Sequence, residues 1–468
     1  MTPKLREKDV RSQHRQSSHI VLKFFSVYVY FQNISKTGGY YYMMIFKKTL
    51  QISLAFTFSF STLLFSYEDS QVLPKSIFRT WFVGTFGEIT SAFDKSGKEN
   101  PIASEFSQNI PVAALAAQNP QLGQLHGTLN SLQAGLGDEL FETKLSADVS
   151  TTFQSYNLAL EYGINKKLSV GFILPMTSIQ SSAQLKVKNK DNTAAVSQKV
   201  NAMPLPNEMK AQLNAGIGSV AQNLPTAEIF ENALIRSNGY KAPGETNYFG
   251  VGDLEIGAKY QILNLNNEFF ATTKFGLRIP TTSYQDDETN LFDASTGDGQ
   301  WDAEAHLLGE WKVIPELSLQ AGLSGTYQFS DSISRHTPEK GDRSPLINLT
   351  TSTKEKLSRN LGEKFRAGAA LSYSFWNKKM STGAIYTYDL KTKDNFRGSK
   401  GLDYARHEIN TDSTNHRAEL SLSYSTIPDY KAKKFPIPAD FKLSYNNNFA
   451  GNNTSKADYV TATLKAYF

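Results

Sequence analysis

The chain has 468 residues, no cysteine, 12% aromatic residues and a formal net charge of +5. The missing cysteine excludes a disulfide framework, a thiolate site and a lipid anchor on an N-terminal Cys. Residues 1–66 hold nine Lys/Arg against two Asp/Glu, which leaves the remainder at −2. The positive total therefore carries no nucleic-acid signal.

Lys47 and Lys48 precede an uncharged apolar stretch from Ile52 to Phe65, and small Ser66 follows. That is the layout of a secretory signal peptide starting at Met43 or Met44. The reading makes 1–42 an upstream extension foreign to the native protein, 43–66 the signal peptide and 67–468 the folded body. No apolar run in the body reaches the ~18–20 residues that a membrane helix needs.

Past the leader, strand-like segments recur. They are expected at about 76–90, 150–164, 168–182, 251–264, 268–280, 300–313, 316–330, 363–376, 380–393, 416–427, 440–450 and 458–468. Twelve is an even count, as a single-chain bacterial barrel requires. Asn165-Lys166-Lys167, Leu265-Asn266-Asn267, Ile314-Pro315 and Asn377-Lys378-Lys379 are tight polar turns, while Pro428 to Ala439 is a longer one. Between them fall long connectors at about 91–149, 183–250, 281–299, 331–362 and 394–415, with Gly451 to Ala457 short. Short and long alternate, as periplasmic turns and extracellular loops do when both termini are periplasmic. Ala113–Leu136 and Pro206–Arg236 have helical spacing of apolar residues, so short helices are expected in the long loops.

Period-two alternation is clearest where Leu317, Leu319, Ala321, Leu323, Tyr327 and Phe329 oppose Ser318, Gln320, Ser324, Thr326 and Gln328. Trp301 and Trp311 bracket a similar outward face, as interfacial aromatics would. Phe78 to Phe86 alternates poorly, and its facing is open. The chain ends Tyr459-Val-Thr-Ala-Thr-Leu464-Lys-Ala-Tyr467-Phe468. A half-apolar terminal strand invites aggregation unless it closes on the first strand of a barrel. Tyr459, Leu464, Tyr467 and Phe468 resemble the C-terminal assembly signal of outer-membrane barrels, which implies outer-membrane lipid and the barrel assembly machinery as partners. The fold expected is all-β: a single antiparallel transmembrane barrel of about twelve strands.

With apolar residues outward, the lumen receives Glu161, Glu255, Lys259, Lys274, Arg278, Asp302, Glu304, His306, Glu310, Arg366, Asp389, Arg417, Glu419, Lys442 and Lys465. Turn geometry places Glu255 near Arg278 and Lys312 opposite Glu316. Charges of the two signs balance, which argues against a selective anion ladder. Ion pairs that merely fill the interior are at least as good a reading as a selectivity role. No Gly-x-Ser-x-Gly or His-Glu-x-x-His motif occurs, and Asp302, Glu304 and His306 read as an ion-pair cluster. The chain is thus expected to have no enzymatic activity, cofactor or metal. The acidic loop Asp286-Asp287-Glu288 with Asp293 and Asp298 reads as solvated.

Four stretches carry a family resemblance: Leu73–Arg79 leading to Ala92–Gly97, Asn157–Gly163 with Leu168–Pro175, Val251–Gly257, and Gly276–Pro280, which repeats the Gly-x-x-aliphatic-Pro ending of Gly171–Pro175. They are similar to outer-membrane proteins of the meta-pathway phenol degradation family, and by architecture, more distantly, to long-chain fatty acid channels. The resemblance covers roughly residues 70–330. It implies passage of small, largely uncharged solutes, including hydrophobic or aromatic ones. The rival is a plugged barrel whose long loops bind another surface.

Overall fold

Period-two patterning becomes twelve strands in the computed structural model, which describes residues 70–281, 287–291, 297–342, 344 and 346–468. They are β1 (Phe78–Phe93), β2 (Phe141–Asn165), β3 (Leu168–Asp191), β4 (Leu254–Leu265), β5 (Phe269–Ile279), β6 (Asp302–Ile314), β7 (Leu317–Gln328), β8 (Lys364–Phe375), β9 (Met380–Lys391), β10 (Ser413–Ser425), β11 (Ala439–Asn452) and β12 (Thr454–Tyr467). Each pairs antiparallel with the next, and β12 returns to β1, with Arg79 opposite Tyr467 and Phe86 opposite Val460. Backbone bonds of 2.9 Å in both directions between Phe78 and Phe468 complete that seam. The result is a closed twelve-stranded barrel, which satisfies every wall strand without an edge. Among the described residues no helix is long and apolar enough to cross a membrane. The division at 1–42 and 43–66 lies outside the described residues, as do Asp286 and Asp293.

Side chains alternate as the pleat demands. Leu323, Leu307, Leu420 and Phe275 point outward and are more than half exposed, while inward neighbours such as Asp302, Thr272 and Arg278 are buried. β1 obeys the same rule despite its poor sequence pattern. Phe78, Phe82 and Phe86 face out, and Arg79, Trp81, Val83 and Thr85 face in. The pattern was obscured because Trp81 packs inward against Ala159 and Ile173, while Thr80 and Gly84 take outward positions.

The tight connectors also follow local chemistry. Asn266 and Asn267 both have positive φ, 52° and 59°, a left-handed pair that asparagine tolerates and that matches strand twist. One expected contact fails. A bulge between Leu317 and Ser318 sets Lys312 opposite Ser318 rather than Glu316, and its ammonium lies 4.6 Å from the Phe270 ring centroid.

Two strands are much longer than expected: β2 begins at Phe141 and β3 continues to Asp191. Their outward faces turn polar beyond Tyr156 and Met176, through Gln154, Thr152 and Asp148 on one strand and Ser178, Gln180 and Gln184 on the other. The alternation is reversed there, with Leu145, Val149, Phe153 and Leu185 buried on the inner face. The pairing continues as an arm whose outer face carries Lys190 2.7 Å from Glu142 and Lys186 on Asp148. Helices α1 (Val112–Ala116), α2 (Pro120–Leu132), α3 (Thr193–Ala202) and α4 (Asn207–Gln222) pack onto this arm. They share a core that includes Leu129, Leu140, Leu145, Val196, Val200 and Ile217. The Asn119 side chain caps α2 by accepting from the amides of Gln121 and Leu122. At the same end Asp331–Thr337, Thr353–Asn360 and Asn395–Arg397 form a separate three-stranded sheet.

Candidate functional site

The barrel interior has two layers. Through the wall, from the short turns up to the loop ends of β4, β5, β6, β8 and β9, it is a belt of charge. Arg79 bonds Glu161, which also accepts from Ser169 and stands 3.6 Å from the Lys259 ammonium. Arg278 lies between two carboxylates, Glu255 at 3.2 Å and Asp302 at 2.7 Å. Glu304 bonds His306, Arg366 bonds Asp389, and Lys442 meets Glu419 at 2.6 Å. The strand register sets Lys274 opposite His306 and Lys465 opposite Asp440. Burial of this many charges is tolerable only because they are paired and hydrogen-bonded. The Asp302–Glu304–His306 run thus divides between two partnerships, Asp302 with Arg278 and Glu304 with His306. Among the described residues no group of three His, Cys, Asp or Glu is arranged to hold a metal. In the acidic loop Asp287 bonds Lys241, and Glu288 bonds His336 at 2.9 Å and Lys354 at 3.3 Å.

Glu310 belongs to a different contact. Residues 70–77, ahead of β1, enter the barrel at the turn end as a strap. Glu310 accepts from the Ser70 hydroxyl and from the Gln71 amide at 3.3 Å. Thr272 donates to the Ser70 carbonyl, and Lys259 reaches the Gln71 carbonyl at 3.3 Å. The opposite end of the strap is pinned by Ser76 N–H to the Gly163 carbonyl at 2.8 Å. Gly163 has to be glycine, since a Cβ there would overlap the Pro74 carbonyl oxygen. The strap therefore runs from the β1–β2 side to the inner faces of β4, β5 and β6. Sequence reasoning missed both it and Arg79. Only the polar pair Ser70-Gln71 ahead of the first strand hinted at the strap, and Arg79 was hidden by the weak alternation of β1.

Toward the loop end the interior turns apolar. Ile89, Val149, Phe153, Leu185 and Tyr459 pack with Ile102, Phe106 and Ile235 supplied by the connectors. Phe153 and Tyr459 meet edge to face at 6.1 Å, and the Tyr459 hydroxyl accepts from Arg417 at 3.1 Å. Tyr459 is thus the hinge between the layers, buried inside the barrel. Of the other terminal-strand residues, Leu464 and Phe468 face outward and are exposed, while the Tyr467 hydroxyl donates to Asp440 at 2.8 Å.

Outside the wall, in the connector after β9, burial pushes the His407 imidazole down to about 4, with Arg335 and Arg406 adding to the effect and Glu288 and Asp403 opposing it. Its Nε2 is 3.1 Å from the Thr337 hydroxyl, and its ring lies 5.5 Å from that of Phe396. Because the folded value is below the unfolded one, the neutral ring favours folding above pH 6.5. That contribution disappears as pH falls from 6.5 toward 4, at most ~3 kcal/mol for such a gap. Proteolysis of the 392–412 connector should accelerate over that range, and His407→Gln should flatten the profile.

No curated protein matches the chain by sequence. Among solved structures it is similar to the COG4313 outer membrane channel from Pseudomonas putida F1, at 11% identity over 86% of this chain and 98% of that one, with a TM-score of 0.46. The Pseudomonas putida toluene transporter TodX shares 9% identity over 84% and 90% of the two chains, at 0.31. A Pseudomonas aeruginosa FadL homologue shares 10% over 84% and 89%, at 0.30. Likenesses this distant add nothing to what the strand pairing shows. The family match is of another kind: residues 207–464 fit the family described as "Putative MetA-pathway of phenol degradation". That stretch holds the Val251–Gly257 and Gly276–Pro280 motifs, runs on past residue 330 through most of β12, and leaves the two earlier motifs outside. On a match covering more than half of its length, the chain belongs to that phenol-degradation family.

Proposed function

We propose that the protein is an outer-membrane channel for small, largely uncharged solutes, hydrophobic or aromatic ones included. The observation that carries this is the layered interior. Under the connectors the interior is filled by Ile89, Phe106, Phe153 and Tyr459, all buried. This packed apolar region keeps out water and ions, and an apolar guest enters it when the packing opens locally. A hydrophilic pore would present polar groups there. The fifteen charged or histidine positions expected in the lumen act in this reading as a paired belt that holds the wall's shape, since paired charges offer little to a passing ion. Within the reading the turn end is periplasmic, solute is the only cargo, and no nucleic acid or catalytic chemistry is involved.

Liposome swelling with the purified chain tests it. Uptake of small aromatics, or sugar uptake that aromatics block, supports the channel. Liposomes no leakier than protein-free ones would overturn it. The rival, a plugged barrel that presents a surface, draws on the separate core of the α1–α4 cap. It predicts silence even after α3 and α4, within 193–230, are removed.

Tyr459, Leu464, Tyr467 and Phe468 are proposed to serve assembly. Phe468 closes the seam through its backbone, and its ring is free for recognition. Deleting it should leave most of the chain unassembled in the periplasm, seen as loss of heat-modifiable mobility. Normal assembly without it would remove the assembly role.

A further inference from the structure

We propose that two neighbouring turns at the turn end form a ledge that seats the head groups of anionic phospholipids. One is Trp376–Lys379, between β8 and β9. The other is Thr426–Pro438, between β10 and β11. They are fastened to each other, since the Lys379 ammonium lies 2.8 Å from Asp429 and the Ser425 amide donates to the Lys379 carbonyl at 2.7 Å. Lys379 also stands 5.7 Å from the Trp376 ring centroid.

The ledge exposes what folding normally hides. Every residue from Tyr430 to Ile437 is exposed. Trp376 is 62% exposed, and Tyr430, Phe435 and Ile437 are each close to half exposed. These rings continue the outward band of Leu422, Tyr424 and Phe441, so they lie where the lipid-facing wall ends. Aromatic side chains favour that depth, with the ring in the apolar edge and the polar atoms in the head groups.

Charge decides which surface fits. Lys378, Lys431, Lys433 and Lys434 stand among these rings. None of the four has an ion-pair partner among the described residues. Asp429, the one acid of the two turns, is taken by Lys379. Lys378 and Lys433 occupy left-handed backbone, at φ 61° and 57°, within the sharp bends that shape the ledge. Unpaired cations interleaved with exposed aromatics at a membrane rim match a phosphate-bearing lipid surface, where each basic residue strengthens attachment several-fold. A protein partner would be better served by a contiguous apolar patch than by one spread along the rim.

The inference rests on the barrel standing in a membrane, and the experiment separates the two. Full-length protein in mixed phosphatidylglycerol–phosphatidylcholine micelles is followed by native mass spectrometry, with heat-modifiable mobility confirming the folded barrel. The wild type should retain phosphatidylglycerol several-fold over phosphatidylcholine, and about 0.5 M salt should erase the preference. Lys431→Gln, Lys433→Gln and Lys434→Gln together should abolish it, whereas Lys166→Gln with Lys167→Gln, on another turn, should keep it. A folded wild type that retains both lipids equally overturns the ledge alone, as does a preference that survives the triple variant. Full competition by millimolar inorganic phosphate would assign the lysines to a free anion and overturn it too. A chain that never acquires heat-modifiable mobility would instead count against the membrane barrel.

Discussion

Replacing Arg278 with alanine should be the most damaging single change in the wall. Arg278 is 6% exposed, and its guanidinium serves Glu255 and Asp302 at once. Its removal takes from two buried carboxylates the cation that bonds them both, a loss on the order of 3–5 kcal/mol. Either carboxylate then has to take up a proton, or water has to enter the belt. The urea midpoint of the folded barrel in lipid should fall sharply. Glu255→Gln with Asp302→Asn in the Arg278→Ala background should recover much of it, because neutral amides are cheaper to bury. If the triple variant is no more stable than the single one, the loss reflects the missing bulk of the arginine and not the stranded charges.

The second large effect concerns the strap. Ser70 and Gln71 hold Glu310 across the turn end of the lumen, so loosening them should widen the passage. Gln71→Ala with Glu310→Ala should raise single-channel conductance several-fold while leaving heat-modifiable mobility intact. The converse variant uses the absence of cysteine in the chain. Gln71→Cys with Glu310→Cys, bridged by a short bismaleimide, should reduce solute uptake to that of protein-free liposomes. Equal uptake before and after bridging would mean that the strap does not lie in the solute's path.

Much of this architecture was legible in the sequence, for one reason. Wherever a strand faces lipid outside and charge inside, as in Trp301 to Val313, the period-two signal is strong and strand positions follow from it. The Glu255–Arg278 contact was legible only as a neighbourhood. The tight Asn266-Asn267 turn sets β4 beside β5, while a bulge between Gln261 and Leu263 shifts the register by one residue before the pair is reached. Legibility failed where the outer solvent changes. Beyond Tyr156 and Met176 the outer face of the arm is polar and the inner face apolar, so the pattern reverses the sense that marks a membrane wall. It also failed where position depends on tertiary contact alone. The strap has no regular structure, and nothing local says that Ser70 will meet Glu310. The Leu317 bulge, which moved Lys312 away from Glu316, is likewise invisible to spacing.

The seam between β1 and β12 has a kinetic consequence. Its partners sit at opposite ends of the described chain, with the other ten strands between them. Loop-closure entropy rises with separation, and pairing this distant in sequence is slow. Until it forms, β1 and β12 each present an unpaired row of amides and carbonyls beside exposed Phe82 and Leu464, the kind of edge that recruits other chains. The finished barrel, having no edge, is insensitive to that hazard. Its aggregation risk is therefore concentrated in the interval before closure, and a mutation that slows the seam should lower yield without lowering the stability of the molecules that do form.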